Sequence, residues 1–374
     1  MDPYELRDDG VVLSPAVPAD AEAVTIACQD PLIQAWTTVP SPYVRGHAED
    51  FLGRTVPMGW ATGAATTWAV RDGDGGPLLA MIGLTGIADG SAEVGYWTAP
   101  SGRGRGLTTT ALRTVARHAL DPDGLDLRRV VWKAYVGNWA SRRVAWKAGF
   151  RVEGRLRLEG VQRGERRDEW SGTLLRGDPL EPPTPWASTP ELRGGRVVLR
   201  RFVEEDADAL VEACTDPVTR HWLGGLPDPY TRDVAIDHIR SREEDAAAGR
   251  GVHWAAAHST GGPAVGAFSL MGLDARRGGA EVGYWVHPRV RGTGVAAAGV
   301  RLIVRHAFVP VEDGGLGLDR LVVAHAEGNE ASRRVIERNG FRPMGVERAA
   351  ERLGDGSVVD LRWYDLLRDD APLP

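Results

Sequence analysis

The chain is written twice. AEVGYW at residues 92 to 97 returns letter for letter at 280 to 285, and NWASRRVAWKAGF (138 to 150) returns as NEASRRVIERNGF (329 to 341). GRVVLRRFVEEDADALVEACTDP (195 to 217) echoes GVVLSPAVPADAEAVTIACQDP (10 to 31), with Asp20 matching Asp206 and Trp36 matching Trp222. Two copies are too few for a solenoid, so the repeat specifies two domains of one design. The length of 374 residues agrees, at roughly 150 residues per domain. Prolines in DPLEPPTPWASTP block both helix and central strand, which marks a linker. The expected boundaries are a domain over 1–178, a linker over 179–190 and a domain over 191–374.

Each copy mixes strand and helix patterns. GVVLSPAV and GRVVLRRF predict opening strands, and the alanine-rich stretches after Pro18 and Glu204 predict helices. TTWAVRD, PLLAMIGLTGI and AEVGYW then predict a meander with turns at DGDGG and ADGS. LTTTALRTVARHAL and VAAAGVRLIVRHAF carry apolar residues every three to four positions and predict a helix in each copy. A buried strand, a second helix closed by glycine and a final hairpin complete the pattern. The fold class is α+β, a mixed, mostly antiparallel sheet flanked by helices, present twice.

Between the AEVGYW strand and the long helix lies a glycine-arginine run, SGRGRGL (101 to 107) in one copy and RVRGTGV (289 to 295) in the other. A strand, a glycine turn and a helix in that order let backbone N–H groups converge on a phosphate at the helix's positive end. The run is neither a Walker loop, lacking GK[ST], nor a G-x-G-x-x-G dinucleotide fingerprint.

These residues together resemble the GNAT superfamily of acyl-CoA N-acyltransferases, in particular its ribosomal-protein N-terminal acetyltransferase branch. Arg289, Gly292 and Gly294 fit that family's [QR]-x-x-G-x-[GA] loop in full, whereas the first copy has Ser101 at the leading position and keeps Gly104 and Gly106. Asn138, Ser141, Gly149 and Phe150, with Asn329, Ser332, Gly340 and Phe341, supply the branch's N-x-x-S and G-F. The resemblance covers both halves. It implies that the loop from Arg289 to Gly294, including the Thr293 amide, and its counterpart in the first copy hold the pyrophosphate of acetyl-CoA as cosubstrate, with Arg103, Arg105 and Arg291 adding charge. Asn138 and Asn329 suit helix N-caps as well as cofactor contacts, and Gly149 and Gly340 suit C-caps.

Acetyl transfer from a thioester to an amine needs a base for the ammonium proton and donors for the developing oxyanion. Glu93 and Glu281 share a strand face with Gly95 and Trp97 or Gly283 and Trp285 by period-two alternation, and are the candidate bases; a solvated strand-end glutamate is the plainer reading. Many relatives place a tyrosine acid seven residues after the asparagine, where this chain has Ala145 and Ile336. The branch suggests Ser141 and Ser332 as proton donors to sulfur instead, and strand-end amides near Trp97 and Trp285 as partners of the thioester carbonyl.

Net charge of −6 and a pI near 5.9 disfavour nucleic acid as the main partner. No apolar run approaches the roughly 18 residues of a membrane span, and the N-terminus is unlike a signal peptide, so a cytoplasmic protein is expected. Cys28 and Cys214 occupy matching places, which argues against a disulfide between them. His118 and His306 match inside a helix with no second ligand at metal spacing, so no metal is expected. The acceptor is expected to be a small primary amine or a peptide N-terminus, with QAWTTVPSPYVRG and RHWLGGLPDPYTRD lining its side. The tandem copies suit a monomer that forms its own pseudo-dimer. A competing reading makes one or both halves a non-catalytic acyl-CoA-binding scaffold or sensor, with Ser101 and the helix-weakening Gly299 as signs of divergence.

Overall fold

The computed structural model describes residues 1–274 and 278–371. Two compact units divide the chain, Met1–Pro183 and Thr184–Pro374. The N-terminal unit runs β1 (Leu6–Asp8), β2 (Val11–Pro15), α1 (Ala21–Cys28), α2 (Pro31–Trp36), α3 (Arg45–Asp50), α4 (Val56–Thr62), β3 (Ala65–Asp72), β4 (Leu78–Ala88) and β5 (Ser91–Thr98). It continues with α5 (Leu107–Leu120), β6 (Arg129–Tyr135), α6 (Trp139–Lys147), β7 (Arg151–Gln162) and β8 (Glu165–Leu175).

The C-terminal unit repeats the plan with β9 (Leu192–Gly194), β10 (Val197–Arg200), α7 (Ala207–Thr215), α8 (Pro217–Trp222), α9 (Arg232–Ala247), β11 (Gly251–His258), β12 (Gly266–Asp274) and β13 (Gly279–Val286). Then follow α10 (Val295–Phe308), β14 (Arg320–Ala326), α11 (Glu330–Arg338), β15 (Arg342–Arg352) and β16 (Val358–Leu367).

Each unit holds one 8-stranded sheet, ordered β1-β2-β3-β4-β5-β6-β8-β7 and, in the second, with β9 through β16 in the same places. The expected strands and helices are present. The three-residue edge strands β1 and β9 carry too few residues for an alternating signal, and periodicity does not find them.

Every ladder is antiparallel except β5 with β6 and β13 with β14. Those parallel pairings are short: they end at Val94 opposite Trp132 and at Glu281 opposite Val322. Beyond these points the two central strands part, and the backbone of the remaining AEVGYW residues has no partner on that side. In the C-terminal unit the glycine loop and the N-terminus of α11 gather at this opening.

The two cores are packed differently at one matched pair. A Cβ on Gly299 of α10 would lie 2.3 Å from the Phe268 ring, whereas the N-terminal unit pairs Ile82 with Ala111 at the corresponding positions. Gly299 is therefore a packing requirement of Phe268, which corrects its reading as a sign of functional divergence. Gly299→Ala should destabilise the C-terminal unit by about 1–3 kcal/mol through overpacking. The double variant Gly299→Ala/Phe268→Ile, which restores the other unit's pair, should recover most of it. Calorimetric unfolding of the full chain checks this, and equal destabilisation by the single and double variants would refute it.

Candidate active site

The glycine loops are built as the pattern requires. Gly104 and Gly106 have φ of +74° and +79°, and Gly292 and Gly294 have +76° and +87°, the left-handed region that favours glycine. A Cβ at any of the four would meet nothing within 4 Å, so the missing side chains leave open space beside exposed backbone. Gly106 and Gly294 are the N-caps of α5 and α10 and give these helices no side-chain acceptor, which leaves first-turn amides available to an anion.

In the C-terminal unit, a cavity of about 560 Å³ opens where β13 and β14 part. Seven of the sequence-selected residues meet on it: Glu281, Trp285, Arg291, Gly292, Gly294, Asn329 and Ser332. Trp222 and Leu223, at the end of α8, form part of its wall. Arg289 and Thr293 do not join them. Arg289 is ion-paired to Glu212 at 2.6 Å, and the Thr293 hydroxyl donates to the Val290 carbonyl at 2.7 Å, so both side chains line a separate hollow behind the loop. The amides of the loop, not these two side chains, are therefore what both residues can offer the cradle.

Glu281 is half-buried with no hydrogen-bond or ion-pair partner among the described residues, and burial pushes its carboxyl pKa up. Asn329 Oδ1 accepts from the Ser332 N–H at 3.1 Å, so it caps α11. The Ser332 hydroxyl lies 2.9 Å from the Tyr284 hydroxyl, and burial pushes Tyr284 up to about 12. Tyr284 was passed over in the sequence because AEVGYW alternation assigns it to the core face, where it does stack on Phe268 at 6.1 Å. Tyr284 nevertheless lines the cavity.

The N-terminal unit keeps the scaffold and changes the chemistry. Glu93 is exposed and lies 3.5 Å from Lys133 Nζ, which also approaches Glu159 at 4.0 Å. Ala324 holds the place of Lys133 in the other unit. Glu169 joins this cluster, raised by burial and by the nearby carboxylates of Glu93 and Glu159 against the pull of Lys133.

Asn138 caps α6 by accepting from the Ser141 N–H at 3.2 Å. Ser141 Oγ donates to the Tyr96 hydroxyl at 3.1 Å and accepts from Trp132 Nε1 at 3.0 Å. Its proton is thereby directed at Tyr96, as that of Ser332 is at Tyr284, whose own hydroxyl donates to the Ser332 carbonyl at 3.2 Å; Val323 takes the place of Trp132. Trp97 is half-buried against the unit's core.

The loop arginines are held by carboxylates. Arg103 pairs with Asp30 at 2.5 Å and Arg291 with Asp216 at 2.5 Å, while Arg105 pairs with Asp72. Asp30 and Asp216 are also the N-caps of α2 and α8. Arg103 hydrogen-bonded to Asp30 is the main reason its carboxyl is held below the usual range.

Two cations were missed by the sequence reading. Arg334 and Arg338 of α11 line the cavity and make no ion pair among the described residues. Their signal was available, since i and i+4 place both on one helix face. His118 and His306 have structural surroundings: the Tyr4 hydroxyl lies 2.7 Å from His118 Nε2, and His306 is buried against Trp254. Both cysteines are buried and free. No described helix is long and apolar enough to cross a membrane.

A family model described as the acetyltransferase (GNAT) domain matches this chain twice, over residues 11–151 and 196–342. YdaF of Bacillus subtilis (strain 168), whose name places it provisionally among ribosomal N-acetyltransferases, is 36% identical over 178 residues, covering 46% of this chain and 91% of that protein. YoaA of the same organism, named as an uncharacterized N-acetyltransferase, is 29% identical over 181 residues, covering 48% of this chain and 97% of that protein. Among solved structures, Mycobacterium smegmatis RimJ in complex with CoA-disulfide is 22% identical, with a TM-score of 0.44, covering 50% of this chain and 91% of that one.

Proposed function

The chain belongs to the acetyltransferase (GNAT) family and is an acyltransferase, and from that premise we propose that its C-terminal half moves acetyl from acetyl-CoA to a primary amine by direct attack on the thioester. The observation that carries this reading is the meeting of an unpaired, half-buried Glu281 with the Gly292 and Gly294 cradle on one cavity. Acetyl-CoA enters as cosubstrate. The cradle fits its pyrophosphate through open amides at two glycines and an uncapped helix, and Arg334 and Arg338 offer free charge to further phosphate.

The roles follow from position. Glu281 takes one proton from the incoming ammonium, directly or through water, and passes it to solvent. Amides of β13 beyond Glu281, near Trp285, have no ladder partner toward β14 and are free to hold the thioester oxygen as charge develops on it. The C–S bond breaks as the C–N bond forms, and the nitrogen's second proton balances the departing thiolate through the Ser332 and Tyr284 hydroxyl pair. Trp222, Leu223 and Trp363 make the acceptor side apolar, which suits an amine on an apolar stem. The name carried by YdaF makes a ribosomal-protein N-terminus one candidate of that kind.

The N-terminal half supports a second reading. Its loop offers the same cradle, but Lys133 neutralises Glu93, so this half binds acyl-CoA with little transfer of its own. For separating the halves, 1–178 and 191–374 with the linker 179–190 between them are the working boundaries.

Titrating acetyl-CoA into the full chain should give two equivalents bound. Incubation with phenethylamine or a tetrapeptide with a free N-terminus should then release coenzyme A, and Glu93→Gln should leave that rate within about twofold. No binding heat, or a rate that falls with Glu93→Gln alone, would overturn the assignment.

A further inference from the structure

One buried histidine of the C-terminal unit takes no part in the chemistry above. His253 on β11 is 4% exposed, and its Nδ1 lies 2.8 Å from Ser269 Oγ on β12. On its other side, Nε2 lies 3.3 Å from Asp245 Oδ2 of α9. That contact is off the axis of an ideal hydrogen bond, since Nε2 has no geometrically acceptable partner, but a carboxylate so close still favours a proton on the nitrogen facing it. Arg242 and Arg250 pair with the same carboxylate, at 3.6 and 2.9 Å. Burial first, then Arg242, pulls His253 down to about 4, with His238 adding to the effect, so the ring is neutral near pH 7.

A neutral ring with its proton on Nε2 has a bare Nδ1, and a bare nitrogen can only accept. Ser269 must then donate its one proton to His253. What remains on the Ser269 oxygen is lone pairs.

The ladder sets Ser269 next to a residue of the cavity wall. Ser269 is directly opposite Gly283, and Met271 opposite Glu281, so all four belong to one face of the sheet. Gly283 lines the cavity, and a Cβ there would lie 3.9 Å from the Ser269 Cβ and 2.8 Å from the Met271 methyl. The N-terminal unit has no such device. Gly83 and Thr67 take the places of Ser269 and His253, and a Cβ on Gly83 would be 2.6 Å from the Thr66 carbonyl oxygen.

We propose that Ser269 accepts a hydrogen bond from an N–H of the acceptor amine, with His253 and Asp245 as positioning residues that turn its lone pairs outward. The inference rests on the amine-acceptor reading above and deepens it, because a site tuned to accept selects an amine over an ether of the same shape, which has no proton to donate. Glu281 receives the proton; Ser269 aims the nitrogen.

The test is calorimetric titration of phenethylamine into the full chain saturated with coenzyme A. Ser269→Ala and His253→Phe should each weaken phenethylamine about tenfold, as expected for one lost hydrogen bond to a charged group. His253→Asn, whose side-chain carbonyl can accept where Nδ1 does, should stay within about twofold, and coenzyme A affinity should not change. In the ¹⁵N spectrum of the wild-type ring, Nδ1 should appear unprotonated. Normal phenethylamine affinity in Ser269→Ala, equal weakening by His253→Asn and His253→Phe, a protonated Nδ1, or no phenethylamine binding to the wild type would each overturn the proposal. Failure of coenzyme A to bind in the same sample would instead remove the reading on which it rests.

Discussion

Gly292→Glu should cost the C-terminal half its acetyl-CoA, weakening that site by at least about a hundredfold while the other equivalent binds as before. Two effects add. A side chain at φ of +76° is strained by roughly 1–2 kcal/mol, which the free loop relieves by leaving this geometry and must restore on binding, and the new carboxylate stands beside the phosphate position. At about 4 Å and an effective dielectric near 20, one pair of like charges costs about 4 kcal/mol. Even with generous screening the sum exceeds the roughly 2.7 kcal/mol that a hundredfold requires. Calorimetry reads the result as a fall from two equivalents to one, and Gly104→Glu should remove the other. If both variants bind two equivalents, the loops are ordinary connections.

Glu281→Gln should lower kcat by roughly a hundredfold or more, the usual yield of a positioned base, with acetyl-CoA affinity unchanged. Its pH dependence makes the test sharper. Because burial raises the Glu281 pKa, the acid limb of kcat/KM should lie above the ordinary glutamate range, and the limb should vanish in the variant. Stability moves the other way. A carboxyl whose folded pKa is raised contributes fully below its unfolded pKa, and that contribution is lost as pH rises through the folded value. The wild type therefore holds a costly buried charge near neutrality, and Glu281→Gln should melt slightly higher there but not at pH 4. Unaltered turnover, or a lower melting temperature at pH 7, would dismiss Glu281 as the base.

Much of this was legible before any coordinates because the repeat supplied its own control. AEVGYW, the glycine runs and the N-x-x-S segments each appear twice in one order, and pattern reasoning is strongest where local signals agree. What sequence reasoning missed depends on partners far along the chain. Arg289 meets Glu212, Ser141 meets Tyr96 and Lys133 meets Glu93, and no local window contains both members of any of these pairs. Gly299 misled for the same reason: its meaning lies in Phe268, one strand away. The identical strands thus conceal unlike sites. Identity of a motif says where a backbone goes, and the neighbours decide its charge.

The pairing of Asp216 with Arg291, repeated by Asp30 with Arg103, bears on how such a protein can be altered. Each aspartate caps a helix that ends in Trp222 or Trp36, and each arginine stands one residue before a loop glycine. The helix whose end walls the cavity and the glycine loop are therefore riveted together by this pair. A graft that imports α8 from a relative to change acceptor range, without its aspartate, would leave Arg291 without its carboxylate and disturb cosubstrate affinity as well. The exchangeable module is helix plus loop, and breeding new acceptor preferences into this scaffold means moving both.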